Sequence, residues 1–493
     1  MKTTNPRTRF APSPTGEPHV GNIRTAIFAW LFARANKGSF IIRVEDTDQA
    51  RLVDGAVDSI LESLSWLGLE WDEGPDKAGK YGPYIQSERQ KLGIYSQAID
   101  KLITSKDAYY CSCTPERLNE LRQNQMKSGK PPGYDGHCRE KQLSKGSDNS
   151  AKLVVRFAMP NAGITKVSDV IRGDIEFENS LMDDFVILKS DGFPTYHLAN
   201  VIDDHAMEIS HVIRAEEWLP SLPKHINLYK ALEADPPIFA HVPIILASDR
   251  TKLSKRHGAT SIKEFRSNGY LPSAMLNFLC LLGWSFDDKT EIFTDKELIE
   301  YFSIERVSKS SAIFDNQKLE WMNGHYIRES DQSKLINELQ NYWSYLPEGP
   351  FEMDPETSTL VSVLPLIQDR IKTLQEAAPM IKFLFSKEIS YDTDLLIQKK
   401  MDCESTISAL NKSLDVMNQT SPFNANNIET SLRTLSETLN IKPGQLFGTL
   451  RIATTGQKVS PPLFESLEII GRDTTINAIN MAIQKLNSYG DRN

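Results

Sequence analysis

RFAPSPTGEPHVGN, residues Arg9 to Asn22, is the stretch whose reading decides the fold. Arg7 to Ala11 reads as a short strand and Pro12 to Pro18 as a turn-rich loop. A helix follows, because Ile23, Ala26, Ile27, Trp30 and Leu31 recur at i, i+3, i+4, i+7 and i+8. Working outward, the apolar run Phe40 to Val44 predicts a buried parallel strand and Val57 to Leu67 a second amphipathic helix. Strand, helix, strand, helix implies a parallel α/β sheet with crossovers. Gly21 on the first helical turn lets a ligand approach the backbone, and the free N–H groups at the helix start suit phosphate. His19 stands where its ring would reach that phosphate, although His-x-Gly alone is more often a cap-region histidine in a loop.

Beyond Gly82 the pattern changes to a helix over Ser87 to Ile103, a cysteine-bearing segment and a polar stretch from Arg139 to Lys152 that reads as an exposed loop. This predicts an α+β insertion, with the sheet resuming near Phe185 to Lys189 and Val242 to Leu246. After Glu329 the period is helical, as in Leu360, Val361, Leu364, Ile367, Ile371 and Leu374, while Leu346 to Thr357 with its three prolines reads as a loop or hinge. The expected domains are an α/β part over 1–83 and 196–246, an insertion over 84–195, a region over 247–333 and a helical part over 334–493.

Composition sets wide bounds. At 493 residues, 40% hydrophobic, 25% charged and of negative mean hydropathy, the chain has the length of two to four ordinary globular domains. Collagen-like, mucin-like and wholly disordered readings are excluded. The longest apolar candidate, around Leu276 to Trp284, is far short of the roughly 18 residues of a membrane span. No apolar run follows the basic residues of the N-terminus, so neither a secretory signal nor a transit peptide is expected and the chain is read as cytoplasmic. A net charge of −9 favours solubility and announces no nucleic-acid binder, while leaving room for a local basic track.

Two further segments carry chemistry. KLSKR, Lys252 to Arg256, follows a strand-like run and a turn, with Arg250 before it and His257 after. A solvated charge run is the ordinary explanation, yet a mobile lysine loop also suits charge building on a leaving pyrophosphate. Cys111-x-Cys113, then Cys138-x-Glu140, has thiol spacing able to meet a tetrahedral ion. Glu140 is the expected fourth zinc ligand, with Tyr134 and His137 near enough to compete; the plain alternative is three reduced thiols without metal. GPDKAGKY, Gly74 to Tyr81, imitates a phosphate loop but places Tyr81 where a magnesium-binding hydroxyl should stand, so it is rejected. Asp203, Asp204 and His205 imitate a metal cluster, but neighbours in sequence point apart, and they are read as structural or as pocket lining.

Taken together, Arg9–Asn22 and KLSKR resemble the HIGH and KMSKS signatures of class I aminoacyl-tRNA synthetases. RVEDTD (Arg43–Asp48), FPTYHLANVIDDH (Phe193–His205), VIRAEEW (Val212–Trp218) and FDNQKLEWMNGHYI (Phe314–Ile327) extend that likeness, in order and spacing, to bacterial-type glutamyl-tRNA synthetases. The departures are Asn22 in place of Thr or Gly, and Leu253 in place of Met. The resemblance implies a Rossmann-like catalytic domain followed by an all-α anticodon-binding region, with residues 247–333 contacting the tRNA stem. It implies ATP-dependent attachment of L-glutamate to tRNA(Glu) through glutamyl-adenylate, Mg2+ arriving with ATP, and a monomer. His19, Lys252 and Lys255 would be catalytic. Pro12, Ser13, Gly21, Asn22, Ile245, Leu253, Ser254 and Arg256 would join them around ATP. Glutamate needs cationic partners for two carboxylates and an anion for its ammonium; Arg9 and Arg214 would serve the first, Glu45 with Ser13 the second, and Ala11, Tyr196, Asn200 and Glu217 would complete the pocket. Arg370 would read an anticodon base. The alternatives are a glutaminyl enzyme, a shorter tRNA-modifying relative, an enzyme also charging tRNA(Gln), and a silent RNA-binding paralogue.

Overall fold

The computed structural model describes residues 5–141, 143, 144 and 153–490, the side chain of Lys255 excepted. Most of the polar loop expected over 139–152 therefore lies outside the described residues. The chain divides into two compact units, Met1–Glu264 with Met275–Asn316, and Phe265–Ala274 with Gln317–Asn493.

The first unit opens as the alternation predicts, with β1 (Arg7–Phe10), α1 (Val20–Ala35), β2 (Ser39–Ile42) and α2 (Ala56–Trp66). β1 and β2 pair in parallel, Thr8 beside Phe40 and Phe10 beside Ile42. α1 is apolar on almost every side, and Val20, Ile23, Ile27, Phe28, Leu31 and Ala33 are fully buried, so it forms a central support rather than a surface helix. The single helix expected over Ser87–Ile103 is two, α3 (Gln86–Lys91) and α4 (Ile94–Thr104). Gly93 at φ +73° takes the left-handed conformation between them, which a continuous helix does not permit.

The insertion contains β3 (Ala108–Cys111), α5 (Pro115–Lys127), β4 (Val154–Phe157), β5 (Ile164–Asp169), β6 (Gly173–Glu178) and β7 (Val186–Leu188), with β3, β4 and β7 in one antiparallel sheet. The chain then returns through α6 (Tyr196–Ala206), β8 (His211–Ala215), α7 (Leu222–Ala231) and β9 (Ile238–Val242). β8 and β9 are parallel, with Arg214 directly opposite His241. Ser210, just before β8, donates its N–H to Arg7 O at 3.0 Å and accepts Arg7 N–H on Oγ at 2.7 Å, which lays β8 beside β1. The result is a Rossmann-like parallel layer, with the antiparallel pair β5 and β6 added beyond β9. The strand expected over Val242–Leu246 is broken: β9 ends at Val242 and β10 (Ile245–Leu246) begins after Pro243, which has no N–H for a ladder. β10 pairs with β11 (Ala312–Ile313); α8 (Ile262–Ser267), α9 (Pro272–Leu281) and α10 (Asp295–Tyr301) lie between them in the chain.

The remainder is helical throughout the described residues, in α11 (Asn316–Glu329), α12 (Gln332–Tyr345), α13 (Thr357–Ile367), α14 (Ala377–Ile381), α15 (Cys403–Gln419), α16 (Ala425–Thr438), α17 (Pro443–Thr455), α18 (Leu463–Ile470) and α19 (Arg472–Gly490). Among its described residues the second unit has an apolar core around Leu335, Leu364 and Ile381 and another around Leu410, Leu450 and Ile479. The proline-bearing stretch is indeed irregular between α12 and α13, but it lies inside this unit. The period from Leu360 to Leu374 is not one helix: α13 stops at Ile367, and Ile371 and Leu374 reach the core from the turns that follow.

Candidate active site

A cavity of about 230 Å³ opens beyond the carboxyl ends of β1, β2 and β8, the edge at which open parallel sheets hold ligands. Arg9, Ala11, Pro12, Ser13, Asn22, Glu45, Tyr196, Asn200 and Arg214 all line it. Residues from four separate segments of sequence are thereby brought to one space. Phe10, Thr15, Thr25, Ile213, Ala215 and Trp218 complete the wall; none was singled out as a site residue, because a lone apolar or threonine side chain carries no signal of its own.

Each charged side chain of the cavity is held from behind. Arg9 Nε donates to Asp204 Oδ1 at 3.0 Å and its Nη2 to Oδ2 at 3.2 Å. Arg43, fully buried, spans Asp204 Oδ1 at 2.7 Å and Glu45 Oε1 at 2.9 Å. Glu45 Oε1 also accepts from Asn200 Nδ2 at 2.8 Å. Burial pushes the Glu45 carboxyl upward, with Arg43 and Arg9 opposing; for Asp204 burial acts the same way, but Arg43 and Arg9 prevail and hold it below the ordinary carboxylate range. Asp203 faces elsewhere, accepting from Arg89 Nε at 2.6 Å, Gln86 Nε2 at 2.8 Å and Tyr95 Oη at 2.8 Å. Both aspartates lie within ion-pair distance of Arg43, Asp203 at 3.9 Å, but their hydrogen-bonded partners otherwise differ, and His205 is exposed.

Arg214 differs from Arg9. It is buried, and among the described residues no carboxylate lies within ion-pair distance of it. Its Nε donates to His241 Nε2 at 3.0 Å and its Nη1 to Tyr196 Oη at 3.2 Å, while Nη2 has no partner. A buried guanidinium with an unused N–H edge on a cavity wall is a site for an anion.

His19 and Gly21 stand at the start of α1 rather than on the cavity wall. His19 is the N-cap, and its Nδ1 accepts the Gly21 N–H at 3.1 Å. The stretch just after KLSKR comes to the same end of α1: Val20 N–H donates to Thr260 O at 2.9 Å, and His19 bridges Ser261. Leu253 is buried and donates its N–H to Ile245 O at 3.1 Å, and Ser254 N–H reaches His257 Nδ1 at 3.1 Å. Lys252 pairs with Glu217, so these two expected site residues hold each other outside the cavity wall. Arg256 is exposed and donates from Nη2 to Thr251 Oγ1 at 3.0 Å. The Lys255 side chain lies outside the described residues.

In the insertion the sulfurs of Cys111, Cys113 and Cys138 lie within 4.8 Å of one another. The Tyr134 hydroxyl stands 3.5 Å from Cys111 Sγ and 3.7 Å from Cys113 Sγ, and accepts the Cys138 N–H at 2.9 Å. Glu140 is exposed and outside this group, and His137 Nε2 contacts Lys141 Nζ at 2.6 Å. Burial pushes the Cys138 thiol up, but bonds from the Ser112 backbone, Tyr134 and Cys113 outweigh it and bring it down to about 7, which favours thiolate. Among the three candidates weighed for a fourth corner, Tyr134 is the one that faces the sulfurs. The rejected GPDKAGKY stretch is a turn closed by Gly74 and Lys77, with Lys77 Nζ donating to Trp71 O at 3.0 Å. In the second unit, Arg370 is exposed after α13, and its Nη1 donates to Ser460 O at 3.2 Å, a carbonyl that also accepts from Arg451 at 3.4 Å.

A parallel sheet with a capped helix at its switch point, followed by a helical region, defines a class of protein. Residues 6–321 match the family model for tRNA synthetases class I (E and Q), catalytic domain, and residues 334–483 match an anticodon binding domain. The chain is 54% identical to a glutamate–tRNA ligase of Dehalococcoides mccartyi, over 98% of both chains, and 44% identical to one of Moorella thermoacetica, over 97% of both. A crystal structure of a glutamate tRNA ligase from Elizabethkingia meningosepticum, in complex with its amino acid, superposes with a TM-score of 0.83 at 33% identity, covering 98% of this chain and all of that one. The chain belongs to the glutamate–tRNA ligase family.

Proposed function

We propose that this cavity grips L-glutamate by both carboxylates while ATP lies across the start of α1. Charging glutamate onto tRNA is the activity of the family, and it implies ATP, Mg2+, glutamate and tRNA as reactants. Arg9 and Arg214 take the two carboxylates; Glu45 and Ser13 take the ammonium. The α-carboxylate attacks the α-phosphorus in line and pyrophosphate leaves; the terminal ribose hydroxyl of tRNA then attacks the glutamyl-adenylate carbonyl, gives up its proton and takes the glutamyl group as AMP leaves. No enzyme nucleophile is required, so positioning and electrostatics supply the rate. His19, Lys252 and Lys255 stabilise phosphate charge. In that scheme Lys252 exchanges Glu217 for phosphate when ATP binds. Arg370, beside Arg451, faces the anticodon arm, and the chain works as a cytoplasmic monomer.

The observation that carries this reading is Arg214, a buried cation without a carboxylate partner on a wall that also holds Arg9 and Glu45. Glutamate-dependent exchange of pyrophosphate into ATP, measured with tRNA present, tests it. Lys255→Ala should slow exchange by about 2.7 to 4 kcal/mol at the barrier with glutamate affinity little changed. Unchanged exchange would remove Lys255 from the mechanism.

We further infer that Cys111, Cys113, Cys138 and Tyr134 hold zinc. Three sulfurs and a phenol converging on one point fit a closed tetrahedral site, whose bound ion would cross-link the insertion. Metal analysis should find close to one zinc per chain, reduced well below that in Cys138→Ser, with thermal stability lowered in parallel. A metal-free protein of unaltered stability would contradict the assignment.

A further inference from the structure

The chain from Arg214 continues inward past the cavity. His241 Nε2 accepts from Arg214 Nε at 3.0 Å, and on its far side His241 Nδ1 meets Asp169 Oδ2 at 2.6 Å. Both His241 and Asp169 are buried. They come from neighbouring strands: Arg214 on β8 is directly opposite His241 on β9, and Asp169 closes β5, the next strand over. Asp169 is itself immobilised, accepting the N–H groups of Ile171 at 3.0 Å, Arg172 at 2.8 Å and His241 at 3.1 Å. Arg172 Nε returns to the His241 carbonyl at 3.1 Å.

This arrangement fixes a proton. A carboxylate accepts only, so Nδ1 of His241 must carry the hydrogen, and Nε2 is left as a lone pair aimed at the Arg214 Nε–H. That lone pair, together with Tyr196 Oη and His225 Nδ1 on Nη1, sets the plane of the guanidinium and leaves the buried Nη2 without a partner. We propose that Asp169 and His241 are positioning residues that lock Arg214 in the one orientation able to receive the side-chain carboxylate of the amino-acid substrate, and thereby help to distinguish acid from amide. The proposal rests on the pocket reading given above.

Asp169→Asn is the informative change, since volume is kept and Oδ1 remains an acceptor for the Ile171 and Arg172 N–H groups and, at 3.3 Å, for that of His241. Its Oδ1 would stay on the Ile171 and Arg172 N–H groups, turning the new amide N–H towards His241 Nδ1. The hydrogen of His241 would then move to Nε2 and confront the Arg214 Nε–H, donor against donor. His241→Leu removes the acceptor outright, whereas His241→Gln keeps an oxygen able to accept from Arg214.

Pyrophosphate exchange on the full chain, with glutamate and ATP varied separately and tRNA present, gives the test. Asp169→Asn and His241→Leu should raise KM for glutamate by about 10- to 100-fold, the scale on which loss of an outer partner acts on a site's ligand. KM for ATP and kcat should stay within about twofold, preference over glutamine should narrow, and His241→Gln should recover most of the loss. Arg214→Ala is the control. If it raises KM for glutamate while Asp169→Asn and His241→Leu leave it unchanged, the positioning role is overturned and the pocket reading stands. If Arg214→Ala has no effect, the pocket reading falls and this proposal with it. A fall in kcat with both KM values altered alike, and no recovery in His241→Gln, would assign the pair a structural role only and overturn the proposal.

Discussion

Asp204→Ala is expected to destabilise the catalytic unit by about 3–5 kcal/mol, the cost of removing one partner from a buried ion pair. Asp204 is almost fully buried and is the acid shared by Arg9 and Arg43, both of which lose their closest anion in the variant. Arg43 would keep Glu45, at 2.9 Å, but Arg9 has no other carboxylate bonded to it among the described residues. Arg43 would then rest on Glu45 and on Asp203, 3.9 Å from its Nε, and the buried Arg9 would have no bonded carboxylate. The same aspartate makes stability fall in acid. Its folded-state pKa lies below its ordinary value, so its contribution is complete above the unfolded pKa and disappears as pH falls through the lowered one. Urea denaturation followed by tryptophan fluorescence should find the loss near neutral pH and find it shrinking in acid. A change under 1 kcal/mol at neutral pH would mean that the guanidiniums are solvated rather than paired.

Arg214→Ala should behave in the opposite way. Its protein partners, His241, Tyr196 and His225, are neutral; burial is the main force holding His225 well below the ordinary histidine range. The variant therefore leaves no charge stranded in the protein, and a small effect on folding is expected. The substrate carboxylate is what loses its partner. Truncating one side of a buried charged contact costs about 2–5 kcal/mol, a weakening of roughly 30- to several-thousand-fold. KM for glutamate should rise by that factor, with the affinity for ATP little altered. Equal glutamate affinity in the two proteins would show that Arg214 does not meet the substrate. The pair of variants separates two uses of buried charge: Asp204 compensates cations already present, and Arg214 awaits an anion that arrives.

Periodicity made β1, α1, β2 and α2 readable because each is local: spacing within some dozen residues decides which face is apolar. The cavity residues Arg9, Glu45 and Arg214 were reached through the signature segments, which bring their charges in a fixed order along the chain. What escaped reading depends on contacts across strands. His241 sits in FAHV, an apolar strand in which a single histidine gives no hint that Arg214 lies opposite it and Asp169 one strand further. The only available signal was its polarity in an otherwise apolar run. Tyr134 was one of three candidates near the thiols, and choosing among them required knowing how Pro131, Pro132 and Gly133 turn the chain back upon Cys111. Gly93 interrupts a run whose period otherwise continues, and an isolated glycine does not say whether it will be tolerated or will end the helix.

Acylation of purified tRNA(Glu) by the intact protein, with radiolabelled glutamate and glutamine offered separately, addresses the central claim most directly. A cavity whose guanidiniums demand a side-chain carboxylate should favour glutamate in kcat/KM by a factor on the order of 10⁴, since an amide would leave buried donors facing its own N–H groups. Comparable rates with the two amino acids, or no glutamyl-tRNA at all, would contradict it.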